Sequence, residues 1–432
     1  MLADPFFYRA RLQSEIEASL ADVLAILQLG VTGSAASKSA EFIAASFFKV
    51  PKDVRRRAIL DPRIVASLEE IQRLIAAYGD AALSRQEWID FSGVVLRLEF
   101  FCLIFLNETG RAIIRGFTDQ WISIPGTSLY VMANRENRQL KIYCGSVLGS
   151  EVLDASLTVD GQHDGIPFIA LPETPLLPPI ANKRMLSLSQ PQRYEWRSAI
   201  AGAFELLRFH GPSLALVRDY AWLLVPIESD KDGYFSSISF NSLPNAIYTS
   251  LHTDLMFAET LVHEADHQWL YCVARFEKFW ILPDHLQVPL YRSPWRDDPR
   301  PLDGLFRGAS AFVRVGSMWA ALARSLPGTH SSLNWIRKRA VLCNYQAIDA
   351  LRTVRMHGEL SAFGQQFLDS LIGKATETRD RLGELEDFSD LLRWAVASQE
   401  EHNSAWLAQN PVLESYWFPL CAEDYVNFGM PT

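Results

Sequence analysis

Residues 258–270 read Ala-Glu-Thr-Leu-Val-His-Glu-Ala-Asp-His-Gln-Trp-Leu, and at their centre stand His263-Glu264-Ala265-Asp266-His267. Two histidines four positions apart lie on one face of an α-helix, so both imidazoles can reach one ion, while Glu264 projects beside them toward a bound water. The five-residue pattern also occurs by chance, on surface helices that carry two unrelated histidines. The flanks argue against that reading here. Ala258, Leu261 and Val262 before the pair, with Trp269 and Leu270 after it, make an apolar helix that needs burial, and polar side chains in such a helix need partners. The stretch therefore predicts a helix holding a divalent metal.

Working outward, the chain has 432 residues, 49% apolar and 12% aromatic, enough to bury a large core in two or more lobes. The net charge of -9 and pI near 5.6 argue against nucleic-acid or anionic-membrane surfaces, which need a dense basic patch. Small molecules or peptides are the expected partners. Cys102, Cys144, Cys272, Cys343 and Cys421 form no CxxC pair and no even disulfide framework, which fits a reducing compartment and excludes a cysteine-rich zinc module. The first residues lack a basic start followed by an apolar run, so a cytoplasmic protein is expected. The most apolar stretch, 94–106, is interrupted by Arg97 and Glu99 and is too short to span a bilayer; it reads as a buried helix.

The fold class expected is α+β and mostly helical. Residues 1–118 read as a helical N-terminal lobe, with apolar residues at Ile16, Leu20, Val23, Leu24 and Leu27 and the period running to about 117. Residues 119–190 form a β-rich region and linker. There Leu129 and Val131, then Leu140, Ile142 and Cys144 beyond the polar Asn134-Arg135-Glu136-Asn137, predict a β-hairpin. Short strands are expected at 157–159 and 167–171, His163 reads as a turn residue, and the prolines of 172–179 mark a linker.

Residues 191–432 form the expected catalytic domain. It opens with a helix over 192–207 and a buried strand or helix end within 217–227. A strand, a turn at Leu243-Pro244-Asn245 and a second strand over 246–250 then lead into the metal helix, 254–278. That second strand reads equally as an edge able to pair with an extended peptide and as an ordinary core strand. Helices follow over 306–323 and 331–400, broken at Gly358 and Gly364, and an aromatic tail, 403–432, docks on the rest.

Two histidines supply only part of the ligand set of a catalytic ion. The loop 290–304 packs three arginines, three aspartates and three prolines into fifteen positions, and the prolines stiffen it. No Glu or His lies between Gln287 and Thr329, so the helix at 306–323 supplies no such ligand, whereas Asp297, Asp298 and Asp303 are available. Two histidines and a carboxylate form the facial set of non-heme Fe(II) oxygenases, which leaves room for a 2-oxo acid and O₂. Asp298 is the inferred third ligand. Arg300, with Arg296 second, is the inferred fork for the co-substrate's distal carboxylate. Pairing of either arginine with Asp297 or Asp303 is the competing reading. Glu259 and the His357-Gly358-Glu359 segment are outside candidates for the metal.

Three segments also carry a resemblance. Leu-Val-His-Glu-Ala-Asp-His-Gln-Trp-Leu at 261–270, Tyr-Arg-Ser-Pro-Trp-Arg-Asp-Asp-Pro-Arg-Pro-Leu at 291–302 and Leu-Phe-Arg-Gly-Ala-Ser-Ala-Phe-Val at 305–313 resemble the HExxH-type family of peptide-modification proteins associated with ribosomally made peptides. The Pro-Trp-Arg-x-Asp-Pro-Arg-Pro block is far more specific than the metal motif. The resemblance covers roughly 190–325. It implies an Fe(II)- and 2-oxoglutarate-dependent β-hydroxylase of a precursor peptide, with His263 and His267 matching the metal ligands, Glu264 the motif glutamate, and Trp295, Arg296, Asp298 and Arg300 the signature loop. Members often have Gln or His before the glycine at 308; this chain has Arg307, which implies a different substrate if that position touches it.

The core expected from this is a zincin-like HExxH domain. The rival is a zinc metallopeptidase in which Glu264 is the general base for a water activated by zinc. A third reading, a silent protein with a structural metal, is weakened by the missing fourth ligand, since structural zinc sites are closed.

Overall fold

A computed structural model describes residues 5–30, 47–50, seven positions between 55 and 68, the backbone of the strands between 110 and 169, and 183–229, 236–281, 290–411 and 420–428. The described chain is mostly helical with small sheets, as the sequence predicts. It divides into two compact units, Phe6–Ala201 with Arg218–His252, and Met1–Pro5 with Gly202–Val217 and Thr253–Thr432. These differ from the sequence boundaries at 118 and 190. The reason lies in the pairing of Leu223–Pro226, described next, which ties residues after 190 to a strand before it.

The unit containing the N-terminal helix α1 (Pro5–Gly30) buries Tyr8, Leu12, Ile16 and Leu20 along one stripe of that helix. The helical reading does not run to 117, because β1 (Gly110–Ile113) already lies within it. Five further strands follow: β2 (Gln120–Ser123), β3 (Leu129–Ala133), β4 (Gln139–Tyr143), β5 (Ser146–Leu148) and β6 (Val152–Asp154). The expected hairpin is corrected in its pairing. β3 lies between β2 and β6, and β4 lies between β1 and β5, so the two predicted strands exist but face different partners. Alternation marks a strand without specifying its neighbour. The expectations for 94–106, 157–159, His163 and 172–179 lie outside the described residues.

A mixed sheet completes this unit. β7 (Phe168–Ile169) and β8 (Leu223–Pro226) are parallel, β8 and β10 (Ala246–Thr249) are parallel, and β9 (Ser237–Ser239) closes the edge antiparallel to β10. The turn before β10 uses Asn245 at φ 66°, a left-handed conformation that asparagine tolerates, and its side chain donates to the Leu60 carbonyl at 3.0 Å. β10 is buried at every position and central in the sheet, so the peptide-pairing edge considered from sequence is not there. Helices α2 (Gln190–Leu207) and α3 (Gly211–Tyr220) precede β8.

The second unit is built of helices. α4 (Asp254–Ala274) is followed by α5 (Leu302–Ser325), α6 (Leu333–His357), α7 (Ala362–Gly383), α8 (Phe388–Gln409) and α9 (Ala422–Asn427). Thr253 caps α4 by accepting from the Met256 amide at 3.4 Å. Gly358 ends α6 as expected. Gly364 instead sits in the first turn of α7, where a β-carbon would stand 2.0 Å from the Phe279 carbonyl oxygen. The tail docks as expected at α9: Tyr425 donates to Asn344 at 2.7 Å, and Arg379 donates to the Phe428 carbonyl at 2.6 Å. Among the described residues no helix is long and apolar enough to cross a membrane.

Candidate metal centre

Helix α4 is enclosed on nearly every side. Between 257 and 273 the only positions that are not buried are His263, His267 and Tyr271, one stripe at four-residue spacing. Burial on the other faces has a cost for charge, and Glu259 and Asp266 there are matched by arginines. Glu259 accepts from Arg339 Nε at 2.8 Å and from the Trp319 indole at 2.9 Å, and Asp266 pairs with Arg314, whose guanidinium lies 4.2 Å over the Trp269 ring. Burial works to raise the Glu259 pKa, but Arg339 and Trp319 outweigh it and hold the carboxyl below its usual range. Glu259 is thus committed to holding α4 against α5 and α6, which removes it as an outside candidate for the metal.

On the open stripe the His263 and His267 rings stand edge to face with centroids 4.6 Å apart. His267 Nδ1 is sealed from solvent and has no hydrogen-bond partner. Burial, then the neighbouring His263, and with them Arg307, bring its pKa down to about 3 against the opposing charge of Glu264. The ring is therefore neutral near pH 7 and keeps a lone pair for a ligand bond. Glu264 is 3% exposed on the same helix.

Helix α5 walls this stripe. Phe312 meets His263 edge-on at 5.3 Å, and Trp295 stacks on Phe312 at 4.6 Å. Trp295 reaches that place because α5 carries no side chain at 308, where a β-carbon would stand 2.2 Å from the indole Cζ2. Its loop is fastened from behind. Arg292 pairs with Asp349 at 2.6 Å with both side chains almost wholly buried, Gln346 and Gln399 each donate to the Pro294 carbonyl at 2.9 Å, and Tyr291 and Arg300 exchange backbone hydrogen bonds at 2.7 and 2.8 Å. The loop whose prolines stiffen it is thus also held by side chains of helices α6 and α8.

The charges of the loop fall into two groups. Asp298, with a side chain 51% exposed, accepts from Arg296 Nε at 2.7 Å, and Arg300 Nε lies 2.9 Å from its other oxygen at ion-pair distance without hydrogen-bond alignment. Desolvation works to raise the Asp298 pKa, but the two arginines hold it below the usual carboxylate range. Asp297 is exposed, 3.9 Å from His402. Among the described residues no three His, Cys, Asp or Glu side chains are gathered for an ion, so Asp298 is not brought to His263 and His267. Arg296 and Arg300 do pair within the loop, but with Asp298 and not with Asp297 or Asp303.

The second group meets the open stripe at Tyr271. Asp303 accepts from Arg307 Nε at 2.6 Å and from the Trp280 indole at 2.9 Å, and the Arg307 guanidinium lies over the Tyr271 ring at 5.2 Å. Tyr271 stands 6.5 Å from His267, ring to ring. Desolvation raises the Tyr271 hydroxyl pKa, with Arg307 opposing. Sequence reasoning passed over Tyr271 and Phe312. Tyr271 was visible as the next member of the 263, 267 series; Phe312 was not, since only packing assigns it to His263. His357, for its part, packs on Tyr291 at 5.0 Å.

The donor set fits two protein ligands of a divalent ion: two imidazoles on the only open stripe of a buried helix, one with an orphaned ring nitrogen of the kind an ion or water ordinarily explains. No protein-family model and no curated protein matches the chain, so the resemblance rests on the quoted residues.

Proposed function

We propose that the chain is a cytoplasmic non-heme iron oxygenase with a zincin-like HExxH core, which uses Fe(II) and 2-oxoglutarate to β-hydroxylate a side chain in a ribosomally made precursor peptide. One observation carries the reading: the sole open stripe of an otherwise enclosed helix bears His263 and His267. The resemblance across 261–313 gives the reaction class. When bound, iron with 2-oxoglutarate and O₂ would supply the oxidising power for C–H hydroxylation, with succinate and carbon dioxide as co-products.

The chain's own residues have separable tasks. His263 and His267 would hold the ion as ring nitrogen donors, and the low pKa of His267 keeps it from competing for a proton near pH 7. Phe312 and Trp295 exclude water from the flank of His263, which suits a reaction whose reactive species must be kept from side reactions. Glu264 is a supporting carboxylate beside the pair.

A second reading, zinc-dependent peptide cleavage, is favoured by the burial of Glu264 next to His263, where it would serve as general base toward water. The two separate in one experiment. Protein reconstituted anaerobically with Fe(II), with and without 2-oxoglutarate, is mixed with a candidate precursor peptide and exposed to air. Succinate and a peptide heavier by one oxygen are expected; cleavage with zinc that ignores 2-oxoglutarate would sink the oxygenase.

A further inference from the structure

We infer that Tyr271 holds the molecule that binds at the ion, its hydroxyl donating a hydrogen bond to an oxygen atom that the ion carries. The inference rests on the metal-binding part of the proposed function and is the same for iron and for zinc. Tyr271 completes the open stripe of α4: with His263 and His267 it makes up the only positions between 257 and 273 that are not buried. Side chains on a helix lean toward its N-terminus, so the phenol leans toward His267, one turn before it. The two rings lie 6.5 Å apart and are tilted by 34°. A hydroxyl at the far end of such a ring comes within reach of a small molecule bound at the imidazole.

Two further observations set this phenol apart from an ordinary surface tyrosine. The Arg307 guanidinium lies over its ring at 5.2 Å, which fixes the plane of the ring through its face and leaves the oxygen to other partners. Among the described residues no hydrogen bond engages that oxygen, although the side chain is half-buried. A phenol that has given up part of its hydration ordinarily recovers it in a hydrogen bond. Burial raises its pKa, with Arg307 opposing, so near pH 7 the oxygen keeps its proton and can donate it. The bland alternative is a tyrosine that ends the stripe beneath Arg307 and bonds only water.

The test measures binding, not turnover. Wild-type protein and Tyr271→Phe, which keeps the ring under Arg307 and removes only the hydroxyl, are loaded with Co(II) under nitrogen. Each is titrated with acetohydroxamate, which binds a divalent ion through oxygen, and with imidazole, which binds through nitrogen and offers no oxygen; the visible spectrum of Co(II) reports both. Tyr271→Phe is expected to bind Co(II) and imidazole as the wild type does and acetohydroxamate about fivefold or more weakly. Equal acetohydroxamate affinity in the two proteins overturns the inference and leaves the metal centre standing. Weakening of both probes alike overturns it by reducing the tyrosine to packing, and loss of Co(II) affinity in Tyr271→Phe overturns it by making the residue a ligand of the ion. Wild-type protein that takes up no Co(II) overturns the metal centre together with the inference.

Discussion

The Trp295 indole lies so close to Gly308 that a β-carbon on that residue would stand 2.2 Å from its Cζ2 atom. The contact joins the loop 290–300 to the wall of the open stripe of α4, because Trp295 also stacks on Phe312 beside His263. Gly308→Ala is expected to push the indole off Phe312 at a cost of about 1–3 kcal/mol. Chemical denaturation measures the cost and tryptophan fluorescence the movement. Wild-type stability with an unshifted spectrum would mean the contact is slack.

Removal of either imidazole should release the metal. His263→Ala and His267→Ala are each expected to weaken Co(II) binding by on the order of 100-fold or more, since changes merely behind metal ligands already cost about 10–100-fold. Equilibrium dialysis gives the affinity. Full stoichiometry in both variants would remove the metal from this helix.

Asp298→Ala makes the opposite case. Its carboxylate is taken by Arg296 and Arg300 and is half open to solvent, so metal occupancy is expected to match the wild type and stability to fall by about 1 kcal/mol or less. Loss of metal in this variant would return Asp298 to the ligand set.

The Arg292–Asp349 pair is buried on both sides, with side chains 1% and 4% exposed. Asp349→Ala removes the buried counter-charge of Arg292 and should cost about 3–5 kcal/mol, whereas Arg292→Met combined with Asp349→Leu should cost clearly less. Urea midpoints compare the two. A single variant as stable as the double would show that charge burial is not what the pair manages.

His210 ties stability to pH. Its ring bonds Ser213 at 2.8 Å, and burial, with Arg381 and Arg314 adding repulsion, lowers its pKa from 6.5 to about 4. The unfolded chain therefore takes up a proton below about pH 6.5 that the folded chain refuses until about pH 4, so this contribution is complete above 6.5 and is lost as pH falls through that window. His210→Gln is expected to show a smaller drop in melting temperature between pH 7 and 4.5 than the wild type. Parallel curves would assign the acid sensitivity elsewhere.

How far the sequence reached depended on the range of each interaction. Positions 263, 267 and 271 share a face because helix geometry is local, and the strands at 129–133, 139–143, 237–239 and 246–249 were legible from alternation or turn residues. The histidine pair and the prolines of the loop behind it were likewise written in adjacent residues. Partners were not. β3 and β4 chose different sheets, Asp298 chose Arg296 and Arg300, Glu259 chose Arg339, and Arg307 came to lie over Tyr271. Each of these choices depends on which helix or strand packs alongside, and a carboxylate or a strand edge is satisfied equally well by any partner that packing delivers. The sequence by itself determined that α4 offers two imidazoles on one face; only the tertiary structure decided that this face alone stays open and that an arginine of α5 stands beside it.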